Sequence, residues 1–295
     1  SIKEKQLTEV SFGSKITISK TSIDTLTNNT LWNNTVLSGF LKTNIDILEL
    51  KEVVNWFDDV FKPLISPKTN LESFVTNHID SENIFKKNVI EILRKADLHI
   101  EDIRIEEKEE FVPEGVLTIL ENTAVDDEHK KHINSIRQTG KISMLNLEFV
   151  HNFNNELYNL PFDEESHGTQ RFYGLSGILD LLVRTDSFIP IDELESSLHP
   201  DLYIHFLLMH LVNTSKSQLI ATTHNREILK DRNLFRDDAI WFADKQDTGN
   251  TFIYSLDHFE SNIVRDTSNI FNAYKIGKLG GIPELEDYYL DFKYD

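Results

Sequence analysis

The stretch Phe188–Pro200 reads FIPIDELESSLHP, and it decides how the fold is interpreted. Four mostly apolar residues run directly into two adjacent carboxylates, Asp192 and Glu193. A buried strand that ends in Asp-Glu places both acids at the carboxyl edge of a sheet, where open α/β sheets bind their ligands. One carboxylate can hold a Mg²⁺ ion while the other polarises a water molecule beside it. Taken alone the dipeptide is weak evidence, because many strands end in acids where they reach solvent.

Strands and helices alternate on both sides of this stretch. The pattern predicts a helix over 168–183, a strand over 187–191, a helix over 201–213, a strand over 218–222, a further helix, and a strand over 239–243. Such alternation is typical of a parallel sheet with helical crossovers. We therefore expect an α/β fold in which helices flank a parallel sheet, with residues 160–295 forming this main lobe.

Residues 1–159 are expected to form a second lobe that combines helices with an antiparallel β insertion. In residues 1–30 the pattern predicts short strands with a turn at Asn28-Asn29. Residues 31–97 are predicted to be helical, with breaks at Pro63 and Pro67. Alternating strands are predicted in residues 98–150, separated by a polar loop over 113–138.

Composition excludes several functional classes. The chain has 295 residues, of which 39% are hydrophobic and 27% charged, as is typical of globular proteins. No apolar run reaches the ~20 residues that span a bilayer, and the N-terminus has no signal-like apolar core, so we expect no membrane association and a cytoplasmic location. The absence of cysteine excludes disulfides and thiolate chemistry. With a net charge of −19 and no Lys/Arg cluster, direct nucleic-acid binding is not indicated.

Two further motifs lie near the acidic strand end in sequence. Ser166 is a suitable N-cap, and the free amides and dipole of a helix N-terminus bind anions. Gly168 would let the backbone approach a phosphate closely. His224 follows the strand QLIAT and should emerge at the same sheet edge as Glu193, within reach of a phosphate and an attacking water. Each motif also has an ordinary interpretation, as a capped helix and as a surface histidine.

The order of these motifs is more specific than any one of them. The motifs occur in this order: a Ser-x-Gly-x-Gln helix, an Asp-Glu strand, Leu-His-Pro, a helix and a Thr-Thr-His strand. This order resembles the second half of an ABC/SMC-like ATPase head. In such heads the signature motif, Walker B strand, D-loop and H-loop occur in this order. The resemblance implies three roles at the strand ends: Asp192 binds Mg²⁺, Glu193 is the general base and His224 is the switch histidine. It also implies that Ser166, Gly168 and Gln170 form the signature motif. The D-loop would consist of Ser197, Leu198 and His199. His199 stands where the D-loop usually has Asp.

The resemblance can be narrowed to one family. The segments ESHGTQRFYGL, IDELESSLHP, TTHNREIL and KIGKLGGIP resemble a bacterial AAA-family ATP-binding protein of the ABC-like type. Such ATPases occur in abortive-infection, retron and Septu-like anti-phage systems. The resemblance implies ATP and Mg²⁺ as cofactors, a homodimer or higher homo-oligomer that forms around ATP, and an effector partner, commonly a nuclease.

One expected motif is missing from the sequence. A hydrolase of this kind needs a P-loop, GxxxxGK(S/T), whose amides and lysine cradle the phosphates. The nearest match, FGSK at 12–15, lacks the first glycine and the spacing, and we cannot place a Q-loop glutamine. We therefore expect that residue 1 is not the native start and that this chain alone is inactive as an ATPase.

Two alternatives to an ATPase with an effector remain open. The first is a non-hydrolysing scaffold or sensor that uses the ATPase fold to hold a partner protein. The second is a DNA-repair head, which predicts a long coiled-coil insertion that this sequence lacks.

Overall fold

The computed structural model describes residues 10–14, 16–81, 83–123, 133–134, 136–259 and 270–283. Two compact units are built from interleaved segments. The first comprises Ser1–Thr69, Leu181–Asp192 and Thr214–Ala221, and the second comprises Asn70–Asp180, Glu193–Asn213 and Thr222–Asp295. The two-lobe boundary at residue 160 stays a prediction.

Helices and strands follow one another along the chain as a mixed α/β set. The helices are α1 (Lys20–Asn29), α2 (Val36–Phe40), α3 (Leu48–Asn55), α4 (Leu71–Ser81), α5 (Asn83–Lys95), α6 (Glu114–Thr123), α7 (His167–Arg184), α8 (Pro200–Asn213) and α9 (Ile270–Lys275). The strands are β1 (Ile100–Phe111), β2 (Lys141–Phe153), β3 (Glu156–Pro161), β4 (Phe188–Ile191), β5 (Gln218–Ala221), β6 (Trp241–Lys245) and β7 (Thr251–Ser255). None of the helices in the described ranges is long and apolar enough to cross a membrane.

Strand β4 is the centre of the parallel sheet in the first unit. It pairs in parallel with β5, from Phe188 opposite Gln218 to Ile191 opposite Ala221. On its other side Phe61 and Ile65 form parallel bridges to β4. Neighbours on both edges and burial of the alternate residues explain why this strand is an apolar run. The predicted parallel pairing of the two strands is confirmed.

The first 30 residues do not form the predicted strands where the structure describes them. Residues 20–29 are helix α1, which Ser19 caps by accepting a hydrogen bond from the Ser22 amide at 3.1 Å. Leu26 is fully buried in a core shared with α2 and α3. Asn28 and Asn29 end this helix instead of forming a turn between strands. Residues 1–9 and Lys15 lie outside the described residues.

The predicted alternating strands of the second unit are confirmed as β1 and β2, which pair antiparallel, with β3 on the other side of β2.

The predicted loop over 113–138 is wrong for residues 114–123, which form helix α6. Pro113 precedes the helix, and its carbonyl accepts the Val116 amide at 2.9 Å. Leu117 packs with Ile133 and Ile136 in a small core, which the polar composition concealed. Residues 124–132 lie outside the described part of the chain.

Helix α7 packs closely against α4 through two glycines. A Cβ atom at Gly174 would lie 2.5 Å from Leu71 Cβ, and one at Gly177 would lie 2.5 Å from Val75 Cγ2. The same helix is held by a hydrogen bond of 3.1 Å between the hydroxyls of Tyr173 and Thr76. Side-chain volume on this face of α7 is therefore limited by the neighbouring helix.

The last predicted strand belongs to a different sheet from the one expected. Strand β6 pairs antiparallel with β7, from Trp241 opposite Ser255 to Lys245 opposite Thr251, and does not continue the parallel pairing of β4 and β5. Phe242 and Leu256 anchor this hairpin in a core completed by α9. The helix predicted before it is a short 3₁₀ turn over Arg226–Leu229.

Candidate functional site

The acidic end of β4 has an unusual backbone. The Asp192 amide, at the end of the first unit, donates to the Ile65 carbonyl at 2.7 Å. Glu193 begins the next segment with φ of 45°, in the left-handed region, which costs a non-glycine residue about 1–2 kcal/mol. Its amide donates to Thr222 Oγ1 at 2.9 Å, and its carbonyl accepts the Ser196 amide at 2.9 Å. Strain held in place by such bonds is common where a side chain must be aimed.

The structure brings Glu193 and His224 together, as the sequence predicts. His224 Nε2 lies 4.0 Å from Glu193 Oε1, and the two side chains are 88% and 47% exposed. The segments that carry them are bonded to each other, since the Leu194 amide donates to the Thr222 carbonyl at 3.2 Å. The predicted acid and histidine thus lie side by side on segments that leave two neighbouring parallel strands.

Ser166 is the N-cap of α7, as predicted. Its Oγ accepts the Thr169 amide at 3.1 Å and lies 2.9 Å from Thr169 Oγ1. Gly168 has a packing reason to be glycine, because a Cβ there would lie 3.1 Å from the Ser197 carbonyl oxygen. The start of α7 therefore contacts the predicted D-loop of the same chain. Contacts of Ser166 and Gly168 with a nucleotide stay a prediction.

Gln170 is engaged within the chain. Its Nε2 donates to the Phe162 carbonyl at 2.9 Å and to the Glu165 carbonyl at 3.2 Å. The side chain thereby holds the segment that enters α7. Its assignment to nucleotide binding stays a prediction.

A buried pair that sequence reasoning missed holds the same segment. His151 Nε2 on β2 lies 2.5 Å from Glu165 Oε1, and the two side chains are 9% and 7% exposed. The pair links β2 to the residue before the Ser166 cap. The burial of His151 could have been predicted from the alternation along β2, because His151 lies on the same face of the strand as the buried Phe149.

The predicted D-loop residues cap and turn the chain. Ser197 has φ of 64°, a left-handed backbone. The ring of His199 caps α8, because its Nδ1 accepts the Asp201 amide at 3.2 Å. The His199 side chain is 69% exposed, so its ring is open to solvent beside the cap.

Tyr203 on α8 supports the segment after β5. It is 2% exposed, and its hydroxyl is hydrogen-bonded to the side chain of Thr223. Burial raises the pKa of Tyr203 to about 12, so the phenol remains neutral at physiological pH. Sequence reasoning did not identify Tyr203, whose only signal is its place on the inner face of an apolar helix.

The protein side chains could supply only part of a coordination shell for Mg²⁺. No group of three or more His, Asp and Glu side chains that could hold a metal ion occurs in the described part of the chain. Mg²⁺ commonly takes one or two carboxylates and completes its shell with water and substrate phosphates. The Asp192 carboxylate suits that arrangement, whereas an all-protein metal cage does not fit these residues.

The described residues form a mixed α/β fold in which the parallel strand β4 runs into Asp192 and Glu193, as the sequence predicts. Residues 6–230 match the family model described as "AAA domain, putative AbiEii toxin, Type IV TA system". This match covers most of the chain, and the protein belongs to that family of AAA-type ATPase domains. No curated protein matches the chain.

Among solved structures, the chain is similar to an Smc head domain from Pyrococcus furiosus, which carries an extended coiled coil and is bound to the C-terminal domain of ScpA. The two share 15% identity with a TM-score of 0.33, over 78% of this chain and 46% of that one. This chain therefore spans less than half the length of that structure.

Proposed function

We propose that this chain supplies the hydrolytic side of an ATPase site. The observation that carries the proposal is the placement of Glu193 Oε1 4.0 Å from His224 Nε2, on segments leaving two adjacent parallel strands. Glu193 would accept the proton of the attacking water, and His224 would contact the terminal phosphate. The left-handed backbone of Glu193 supports this role, because such strain is retained where it aims a functional side chain.

Asp192 is the residue that would hold Mg²⁺ together with the nucleotide phosphates. The ion, when bound, neutralises charge on the phosphate oxygens. The 295 residues contain no GxxxxGK(S/T), so we assign no phosphate-cradling loop to them. We assign to this chain the base, the metal ligand, the histidine and the signature helix of the site.

We further propose that two copies complete the site. The Glu193 and His224 side chains are 47% and 88% exposed, so within one chain they are open to water. A base that acts on one positioned water works best in an enclosed site. The α7 start of a second copy, with Ser166, Gly168 and Gln170, would cover the pair and close a homodimer around ATP.

The direct test is steady-state ATP hydrolysis by the intact protein. The Glu193→Gln variant, which keeps the shape and removes the base, should lose activity by about 100-fold or more. Glu106→Gln is the matched control, because Glu106 is exposed on β1 and lies outside the proposed site. Equal rates for Glu193→Gln and the wild-type protein would remove Glu193 from the proposed role.

The second candidate is a scaffold or sensor that does not hydrolyse ATP. A scaffold or sensor needs no P-loop to cradle phosphates, and the 295 residues as given contain none. Under this alternative the wild-type protein shows no ATP turnover above that of Glu193→Gln, yet still associates with a partner protein. A DNA-repair head is less well supported, because the sequence has no heptad run long enough for a coiled-coil arm.

For the biological setting we propose anti-phage defence in the cytoplasm, with ATP-driven closure controlling an effector such as a nuclease. The family description, which names a toxin of a toxin–antitoxin system, supports a defence role. Loss of protection against phage in cells that carry Glu193→Gln would support this setting, and unchanged protection would contradict it.

A further inference from the structure

We infer that Glu195 is a positioning residue that holds His224 beside Glu193 by binding the backbone amide of His224. Its effect on catalysis rests on the proposed ATPase function, whereas its effect on the geometry does not. Glu195 lies two residues after Glu193, and its Oε1 accepts the His224 amide at 2.6 Å.

The segments after β4 and β5 are joined by hydrogen bonds from three consecutive residues. Glu193 donates its amide to Thr222 Oγ1 at 2.9 Å, and Leu194 donates its amide to the Thr222 carbonyl at 3.2 Å. The bond between Glu195 and His224 is the third, and it runs in the opposite direction. Side chains of Thr222 and Glu195 thus replace backbone partners where regular strand pairing has ended.

The bond from Glu195 is the strong one of the three. A carboxylate that accepts a backbone amide makes a charge-assisted hydrogen bond, which is about twice as strong as one between neutral groups. Thr223, the residue before His224, is held separately by the buried hydroxyl of Tyr203. The Thr223 side chain and the His224 backbone amide, at successive positions, are therefore each held by a hydrogen bond.

The imidazole itself has little to hold it. The His224 side chain is 88% exposed, so packing contributes little to its position. The position of its backbone must then decide where the ring lies relative to Glu193. This is why a bond to the His224 amide has consequences for the side chain.

The two carboxylate oxygens of Glu195 have different surroundings. Its Oε2 is buried and has no hydrogen-bond partner in the described part of the chain. Burying an unpartnered carboxylate oxygen is unfavourable, which offsets part of the stability that the Oε1 bond contributes. Because Oε2 is closed to solvent and Oε1 is occupied by the amide, neither oxygen is placed to activate water, which separates Glu195 from the role of Glu193.

The first test measures geometry without nucleotide. In amide-resolved NMR of the chain, Glu195→Ala should move the His224 amide proton upfield and speed its hydrogen exchange at least tenfold, because the strong acceptor is lost. Glu106→Ala on the exposed face of β1 is the matched control and should change neither. An unchanged His224 amide in Glu195→Ala would overturn the inference, whatever the protein hydrolyses.

The second test is a double-mutant cycle on ATP hydrolysis by the intact protein. Glu195→Ala should lower kcat by about 10- to 100-fold with little change in the KM for ATP, as for other residues that orient a reacting group. In a His224→Ala background the same change should cost nothing further. Equal losses in both backgrounds would show that Glu195 does not act through His224.

The two tests separate the two proposals. If the wild-type protein hydrolyses no ATP, the proposed function fails, while the NMR measurement still decides whether Glu195 holds the His224 backbone. Thermal unfolding of Glu195→Ala checks that the chain remains folded, and Glu195→Gln, which keeps an acceptor for the amide, should recover part of the kcat.

Discussion

At the scale of single residues, Gly168 gives a direct test of how the start of α7 packs. Gly168→Ala should destabilise the protein by about 1–3 kcal/mol, because the new Cβ would lie 3.1 Å from the Ser197 carbonyl oxygen and force the backbone apart. Urea unfolding measures the change. Gly115→Ala is the matched control, since a Cβ near the start of α6 meets nothing within 4 Å and should be neutral or stabilising. Equal effects of the two changes would contradict this packing.

Some of the candidate site could be predicted residue by residue, and the reason is topological. Asp192, Glu193 and His224 follow strands, and the ends of neighbouring parallel strands share one edge, so their order in sequence carries spatial information. The partners of Glu195 and Gln170 could not be predicted in this way. Their hydrogen bonds depend on side-chain directions in irregular segments, which have no periodicity to follow.

At the scale of elements, the contact between α7 and α4 makes a second prediction. Gly177→Ala should cost about 1–3 kcal/mol of unfolding free energy, because its Cβ would lie 2.5 Å from Val75 Cγ2 and 3.2 Å from Phe85 Cζ. An alanine in an open helix position would instead stabilise the helix by up to about 1 kcal/mol. Urea unfolding beside Gly115→Ala distinguishes the two outcomes. A stabilised Gly177→Ala would mean that the helices are not in close contact there.

Helix α8 makes a prediction about pH. His210 is 8% exposed, and burial lowers its pKa below the usual 6.5. The unfolded chain therefore binds a proton at higher pH than the folded one, so this contribution to stability is complete above about pH 6.5 and is lost as the pH falls through the lower folded pKa. Between about pH 7.5 and 5.5, wild-type protein should lose more unfolding free energy than His210→Gln. Parallel pH profiles of the two proteins would contradict this assignment.

The elements differ in how well the sequence predicts them. Strands β1 and β2 are predictable because charged and apolar residues alternate along them, and the observed pairing uses that alternation. Helices α1 and α6 are not, since each buries only a narrow apolar face within a polar segment. A glycine in the turn, Gly249 with φ of 82°, is typical of a β-hairpin and indicated the pairing of β6 with β7. The preceding alternation of strands and helices instead favoured a parallel strand, and that prediction is wrong.

At the scale of the whole molecule, ATP should control association of two copies. Glu193→Gln with ATP and Mg²⁺ should sediment as a dimer and without nucleotide as a monomer, because the unhydrolysed nucleotide holds the two copies together. The net charge of −19 opposes association, so the measurement belongs at about 0.15 M salt, where the Debye length is about 8 Å.

The control for this dimer lies at the α7 cap. Ser166→Arg should abolish the ATP-dependent dimer by obstructing the signature helix, whereas Ser166→Thr, which keeps the N-cap hydroxyl, should retain it. Dimers that form equally with and without ATP, or that survive Ser166→Arg, would contradict closure around the nucleotide.

In the proposed mechanism Glu193 activates the water that hydrolyses ATP, with His224 beside it, and single-turnover hydrolysis measures this step. The intact protein, in excess over radiolabelled ATP, is mixed with Mg²⁺ and the bound nucleotide is separated at fixed times. We predict that wild-type protein converts bound ATP to ADP, while Glu193→Gln binds the same amount and keeps it as ATP at least about 100-fold longer. Conversion at the same rate in both proteins would contradict the claim.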